Sequence, residues 1–554
     1  MGSSHLSAWE NLQRPLEQRL PGFLSEQRWF GGKTRVIQNV KIADFIPVPL
    51  EGAAACILLA RVIYEEGVAE TYAVPLLESP LESLPERPRG GTDERPKLLV
   101  PAEGGERVLT DALWDPGLLA KLLEALASAS HLSGARGEMV GLPTPALETL
   151  RRAAGTRLEP ALLKAEQSNT SILYGRCFVL KFFRHVEEGL NPDFEMGEFL
   201  SVRAGFPCVP ATAGCFEYRR PGAQPATMGI LQAYVANRGD AWRRTLAALD
   251  GFYGRVESSG PAELPGERPG RGLVAQARRP SEAAALWLGE YREAAYKLGR
   301  RTGELHLALS SDTNDPEFRP EPFSPDEQRE VSESMIRLAE QALGMLGRRA
   351  AELPAALGGK IRAALAAEGE ILGRFELLRE RRLTGLRTRI HGDLHLGQIL
   401  DTGDDFVFID FEGEPARSLA ERRAKHSPVR DVAGMLRSFH YAAYAALFGR
   451  VGDAGAADPR FAALSGFADG WRRWASVEFL RGYLEAAEGA AFLPTGTGEL
   501  EFFLNLWLLD KAMYELKYEL NHRPGWVAIP LEGICDLAEK ASPAPSRRFR
   551  SEDD

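Results

Sequence analysis

The residues best placed to do chemistry lie in one short stretch, Arg389-Ile390-His391-Gly392-Asp393-Leu394-His395-Leu396-Gly397-Gln398-Ile399-Leu400. Further on stands Asp410, closing the apolar run Phe406-Val407-Phe408-Ile409 and followed by Phe411-Glu412-Gly413. An Asp on a tight loop accepts a proton from a hydroxyl nucleophile. An amide a few residues later offers its oxygen to a hard divalent cation, and a second Asp at a strand end adds an anionic oxygen. Together these groups suit phosphoryl transfer to an alcohol. Asp393 would be the base, and Gln398 and Asp410 would be the ligands of Mg²⁺, with Mn²⁺ as a substitute.

Such chemistry needs a nucleotide site, and the sequence upstream offers one. In Val179-Leu180-Lys181-Phe182-Phe183 a single Lys sits between apolar neighbours, as expected of a strand lysine that holds the α- and β-phosphates of ATP. Its partner should be a Glu on the next helix, which opens at Asn191-Pro192-Asp193-Phe194-Glu195. Glu195 is the first choice and Glu198 the second; a surface role complementing the helix dipole is the alternative for either. Before Lys181, a G-x-G-x-x-G loop is replaced by Glu166-Gln167-Ser168-Asn169-Thr170-Ser171. Here Ser168, Asn169, Thr170 and Ser171 offer small hydroxyls and backbone N–H groups to phosphate oxygens. Adenine should meet the backbone around Gln232, Tyr234 and Val235.

The elements that must position these groups follow from periodicity. Strands are expected at Val36–Phe45, Ala54–Tyr64, Glu70–Leu77, Leu158–Lys164, Ser171–Tyr174, Cys177–Phe183 and Gly229–Val235. A short helix, Leu12–Leu20, should stop at Pro21-Gly22, and Pro116–Ser130 should be helical. A long amphipathic helix should begin near Ser281, because Leu288, Tyr291, Ala295, Leu298, Thr302, Leu305 and Leu309 make one stripe. Glu78–Lys97 and Gly260–Pro280 read as exposed loops. Helices should fill 326–386 and most of 431–540. The expected class is α+β: a bilobal, protein-kinase-like fold with an N-terminal mixed α/β cap unit. The expected domains are a cap at 1–110, a strand-rich ATP-binding lobe at 111–235, and a helical lobe at 236–545 carrying the catalytic loop 389–414.

Composition narrows the field. The 554 residues are 44% hydrophobic and 26% charged, too apolar for a disordered chain. A net charge of −10 argues against sequence-independent nucleic-acid binding, which needs excess Lys and Arg. The five cysteines are odd in number and lack C-x-x-C spacing, so reduced thiols are expected. No apolar run is long enough to span a membrane, and the N-terminus lacks a signal-like core, so a cytoplasmic location is expected. Oligomeric state cannot be read.

The His391-Gly392-Asp393-Leu394-His395 form resembles aminoglycoside and choline kinases more than protein kinases. More broadly, the chain resembles the bacterial maltokinases. The likeness rests on Gln27-Arg28-Trp29-Phe30-Gly31-Gly32-Lys33, Glu166–Ser171, Leu180–Glu195, His391–Gln398, Asp410–Pro415, Arg430–Arg437 and Tyr514–Pro524. The resemblance implies ATP-dependent formation of maltose 1-phosphate for α-glucan synthesis, with Asp393 as base, Gln398 and Asp410 on Mg²⁺ and Lys181 on ATP. Glucosamine kinases share these motifs, so an amino sugar or an aminoglycoside is the alternative acceptor. A catalytically inactive binding module is a third reading, opposed by the intact set Lys181, Asp393, Gln398 and Asp410.

The acceptor candidates are His391, His395, Glu412, Arg430, Tyr514, Glu515 and Tyr518. His391 and His395 lack a third metal ligand in view, so structural hydrogen bonding is the other reading for both. Arg430-Asp431 either braces the catalytic loop or contacts sugar. Tyr514 and Tyr518, four apart, should share a helix face, with Glu515 beside them. Trp29 is expected in the core.

Overall fold

The computed structural model describes residues 2–79, 97–102, 105–154, 158–163, 169–259, 272–279, 281–415, 417–452 and 458–539. The chain divides into two units, Met1–Ala236 and Asn237–Asp554.

The first unit holds two antiparallel sheets. One is built from β1 (Ile37–Leu50), β2 (Ala53–Tyr64), β3 (Ala69–Ser79), β4 (Lys97–Ala102) and β5 (Gly105–Asp111), in the order β1-β2-β3-β5-β4. The other is built from β6 (His131–Ser133), β7 (Glu138–Pro143), β8 (Pro160–Leu162), β9 (Asn169–Tyr174), β10 (Phe178–Phe183), β12 (Thr212–Arg219) and β13 (Ala226–Ala233), in the order β6-β7-β12-β13-β10-β9-β8. Between β10 and β12, the short β11 (His185–Val186) pairs with β3 and ties the second sheet's chain to the first sheet.

The apolar run in β2 does not alternate with polar residues because both faces are covered. Ala55, Ile57 and Leu59 enter one core, which they share with α3 (Pro116–Ala127) and the second sheet. Cys56, Leu58, Ala60 and Val62 enter another core, under α1 (Gly2–Glu10) and α2 (Gln13–Glu26). The helix expected to stop at Pro21 instead continues to Glu26. Burial of Leu16, Leu20, Phe23 and Leu24 on one face outweighs the backbone hydrogen bond that proline removes, a cost of about 3 kcal/mol. Trp29 is buried, as expected. Two short helices complete this unit, α4 (Pro145–Ala154) and α5 (Pro192–Glu198).

The second unit is helical. It begins with α6 (Ala241–Ser259), α7 (Leu273–Ala277), α8 (Glu282–Leu288) and α9 (Tyr291–Leu309). The stripe predicted from Ser281 is buried as expected, but the helix is two helices broken at Gly289, which adopts φ +56°. Part of the expected loop at 260–280 is also helical: in α7, Leu273 and Val274 donate backbone N–H groups to the Glu501 carboxylate at 3.2 and 2.9 Å. Residues 260–271 and 280 lie outside the described residues, as do 80–96 of the other expected loop.

Then follow α10 (Pro325–Arg349), α11 (Gly358–Ala366) and α12 (Glu368–Glu380). Two ribbons come next in the argument: β14 (Glu321–Pro322) with β15 (Leu386–Arg387), and β16 (Ile399–Asp401) with β17 (Phe406–Phe408). After the second ribbon come α13 (Leu419–Arg423), α14 (Val429–Val451), α15 (Pro459–Ala486), α16 (Thr497–His522) and α17 (Ala528–Glu539). No helix among the described residues is long and apolar enough to cross a membrane. None of the five cysteines is in a disulfide.

Candidate active site

The segment that carries Asp393 and Asp410 folds as a loop, a 3₁₀ turn at Leu396–Gln398 and the β16–β17 hairpin. Two arginines from distant helices pin the hairpin. Arg244 of α6 binds Asp401 at 2.8 Å, and Arg301 of α9 grips both Asp405 carboxylate oxygens at 2.8 and 2.5 Å. The loop itself is held by Asp431 on α14. This buried carboxylate accepts the backbone N–H groups of His391 and Gly392 at 2.7 and 3.0 Å and faces His306 at 3.2 Å. Burial opposes its ionisation, but these donors hold its pKa below the ordinary carboxylate value. Asp431 thus braces the loop that carries Asp393. At Gly434, one turn along α14, a Cβ would come within 2.6 Å of the Leu394 carbonyl, so only glycine lets helix and loop approach so closely.

Gln398 and Asp410 meet: the Gln398 amide donates to the Asp410 carboxylate at 2.8 Å, and Ile409 N–H donates to the Gln398 carbonyl at 3.0 Å. Asp410 adopts φ +66°, a left-handed conformation that Asp tolerates better than most side chains. An amide oxygen and a carboxylate are the hard donors that Mg²⁺ takes, so the residues fit the ion.

His391 is buried, places Nε2 3.0 Å from the Ile409 carbonyl and packs on the Phe411 ring. Nδ1 of His395 accepts the Gly397 N–H at 3.0 Å, and burial lowers its pKa. Both contacts are the structural hydrogen bonds of the alternative reading. Glu412 is half-buried, and its carbonyl accepts from Arg422 at 3.3 Å.

Beside Asp393 opens a small recess. Lys511 of α16 reaches Glu414 at 2.9 Å and the Asp393 carboxylate at 3.4 Å. Glu414 also accepts from Arg417 at 2.7 Å and from Arg430 at 3.2 Å. Trp507, Asp510 and Tyr514 complete the walls with the backbone of the catalytic loop. Burial works against a charged Glu414, yet Lys511, Arg430 and Arg417 hold its carboxyl far below the usual range. Burial likewise opposes a charged Lys511, but Glu414 and Asp393 push its ammonium pKa up. Burial raises the Asp510 carboxyl to about 6.

Of the acceptor candidates, Arg430 and Tyr514 line this recess. Glu515 does not; it is buried, and one of its carboxylate oxygens accepts two N–H groups of Arg437 at 2.8 and 2.5 Å. Tyr518 does not either; it is 42% exposed and stacks on His522. Four-residue spacing aligned Tyr514 with Tyr518, but the slow drift of an α-helix's face and the packing around α16 leave only Tyr514 at the recess. Lys511, Glu414, Arg417, Trp507 and Asp510 were not anticipated. A usable signal was there for one of them: Lys511 sits one turn before Tyr514 on the helix already singled out.

The other group of candidates belongs to the first unit. In β10, Lys181 lies opposite Ser171 of β9 and Ile230 of β13. It pairs with Asp193 at 3.3 Å, a carboxylate buried to 1% exposure. Asn191 caps α5 by accepting the Asp193 N–H at 2.8 Å, which seats Asp193 in the first turn. The sequence points to Glu195 or Glu198 as the partner of Lys181; Glu195 is buried in the same turn as Asp193. Asn169 and Thr170 face Phe183 and Phe182 across the hairpin, and Thr170 accepts from Arg184 at 2.9 Å. Gln232, next to last in β13, lies opposite Val179 and Thr212, and Tyr234 donates its N–H to the Cys177 carbonyl at 2.7 Å just before Val235. Ser168 lies outside the described residues.

Buried Glu414 yields a stability prediction. Glu414→Gln leaves Lys511, Arg430 and Arg417 without their shared anion, at an expected cost of about 3 kcal/mol. Because the folded pKa is depressed, this stabilisation is complete well above 4.5, the value expected in the unfolded chain, and is lost as pH falls below it. Denaturant melts of both proteins at pH 7 and pH 3 measure the gap, which should narrow at the lower pH.

Over 95% of its length the chain matches a solved glucosamine kinase in complex with glucosamine, ADP and inorganic phosphate, with a TM-score of 0.58, 19% identity and 99% of that structure covered. The chain therefore has the fold of the kinase-type phosphotransferases. Residues 23–115 match the model of the maltokinase N-terminal cap domain. In sequence it is 24% identical over 414 residues to a glucosamine kinase of Streptacidiphilus jiangxiensis, covering 74% of this chain and 81% of the relative. It is also 24% identical over 387 residues to a glucosamine kinase of Mycolicibacterium smegmatis, covering 69% and 80%.

Proposed function

We propose that this chain is an ATP-dependent sugar kinase that transfers the γ-phosphate to the anomeric hydroxyl of maltose, giving maltose 1-phosphate. One observation carries the reading: Asp393 stands on a loop whose backbone is fixed by buried Asp431, at the mouth of a recess walled by Trp507 and Tyr514. In this scheme Asp393 takes the proton of the attacking hydroxyl. Lys511 holds that carboxylate in place and keeps its surroundings electropositive. Lys181, positioned by Asp193, binds ATP phosphates. Gln398 and Asp410 hold Mg²⁺, which when bound neutralises charge on the phosphates. We assign 1–110 as the cap, 111–235 as the nucleotide-binding part and 236–545 as the part that carries the base and the acceptor.

A sugar entering the recess can lie on the Trp507 and Tyr514 rings and bond to Glu414. The cap-domain match supports maltose, and the names of the relatives support glucosamine as the second reading. Steady-state kinetics with both sugars decide: kcat/KM should be higher for maltose by about tenfold or more, a difference of 1.4 kcal/mol in transition-state binding. A preference for glucosamine would retire the maltose assignment and keep the kinase. Tyr514→Ala should raise the sugar KM about tenfold with little change in the ATP KM, the mark of lost ground-state binding. An unchanged sugar KM would move the acceptor away from this recess.

A further inference from the structure

Most charged groups that line the Asp393 recess are engaged with one another. Lys511 meets Glu414 and Asp393, and Glu414 also takes Arg417 and Arg430. Asp431 is filled by two backbone N–H groups and His306. Asp510 differs from all of these. It is half-buried in the recess wall on α16, and among the described residues its carboxylate makes no hydrogen bond or ion pair. Both of its oxygens nevertheless keep accessible surface. One turn along the helix, the Tyr514 hydroxyl is in the same state: it lines the recess, keeps accessible surface and has no hydrogen-bond partner among the described residues. Residues four apart on a helix share a face. Helix α16 thus presents to the recess an ionised group that only accepts, beside a hydroxyl that both donates and accepts.

The fold keeps this carboxylate at a loss of stability. Burial without a compensating donor raises its carboxyl to about 6, against 3.8 for an ordinary Asp. The folded chain therefore holds this proton more tightly than the unfolded one, and above about pH 6 the ionised group subtracts from stability. A side chain that weakens the fold and opens onto a recess is accounted for by what it binds there. What it lacks is a donor. A phosphate or carboxylate would set its charge against Asp510, Glu414 and Asp393. A hydroxyl supplies the missing donor, and a neighbouring hydroxyl of the same ring suits the Tyr514 oxygen. We propose that Asp510 is a specificity-determining residue of this recess, accepting a hydrogen bond from one ring hydroxyl of the acceptor sugar while Tyr514 bonds to another. This rests on the kinase reading and adds the groups by which the sugar is recognised.

Steady-state kinetics of Asp510→Asn test it, with maltose, or with glucosamine should that be the sugar turned over, and with forms of that sugar lacking one ring hydroxyl each. The variant should lower kcat/KM for the intact sugar about tenfold or more and leave the ATP KM unchanged, because a site built around a hydroxyl depends on that bond. Its melting temperature at pH 7 should be unchanged or raised, which a purely structural role would not give. For one of the deoxy sugars the penalty should vanish, since the hydroxyl that the carboxylate holds is already gone. Tyr514→Phe keeps the ring, removes only its oxygen, and should couple in the same way to a different hydroxyl. An Asp510→Asn chain that does not fold, that keeps its kcat/KM for the sugar, or that carries the same penalty with every deoxy sugar overturns the proposal. If the unaltered chain phosphorylates neither sugar, the kinase reading itself is refuted and this assignment falls with it. An active unaltered chain with an equally active Asp510→Asn variant refutes the assignment alone.

Discussion

Asp393→Asn is expected to lower kcat about 100-fold or more while nucleotide affinity stays within a few-fold of the original. The substitution keeps the shape of the side chain and its place above the Asp431-braced backbone, but removes the carboxylate that takes the hydroxyl proton. It also removes the negative charge beside Lys511, which retains Glu414 at 2.9 Å and so is not left unpaired. The expected deficit is therefore in chemistry rather than in folding. Single-turnover rates with saturating ATP and sugar, together with a nucleotide titration, separate the two. A variant with near-normal turnover would remove Asp393 from the mechanism.

The second large effect concerns the metal. Asp410→Ala should abolish turnover, a loss of about 1000-fold or more, because charge stabilisation by a bound divalent ion is worth several kcal/mol. Chelation of divalent ions should do the same to the unaltered chain, and added Mg²⁺ should restore it. The carboxylate ends an apolar strand and already meets the Gln398 amide at 2.8 Å, so its removal takes one of two hard oxygen donors from the pair. Gln398→Ala should give a smaller loss, partly recovered at high Mg²⁺. Full activity in chelator would contradict the metal assignment.

The catalytic segment was legible in the sequence because its chemistry compresses into short spacings. Gln398 and Asp410 lie within one turn and hairpin, close enough in sequence that their residue types imply their meeting. Lys181 was legible as a lone cation in an apolar strand; Asp193, which pairs with it from the helical turn that also carries Glu195, was not singled out, because only the geometry of the Asn191 cap shows where it sits. The recess was the least legible part. Glu414 and Arg417 come from the chain after the hairpin and Lys511 from α16, some hundred residues apart, and no local pattern signals their convergence. Glu515 shows why composition misleads here: a carboxylate beside a candidate sugar-binding tyrosine is spent on Arg437. Among the fold elements, the helix through Pro21 and the break at Gly289 were misread for opposite reasons. In the first, core burial overrides a local breaker; in the second, a continuous apolar stripe hides a change of backbone direction.

Phosphorus NMR of the product formed from ATP, Mg²⁺ and maltose tests the central claim most directly. The account predicts a sugar phosphate whose phosphorus couples to the anomeric proton of maltose, formed in step with ADP. Release of ADP and free phosphate without a maltose phosphate, or phosphorylation of glucosamine where maltose is untouched, would contradict it.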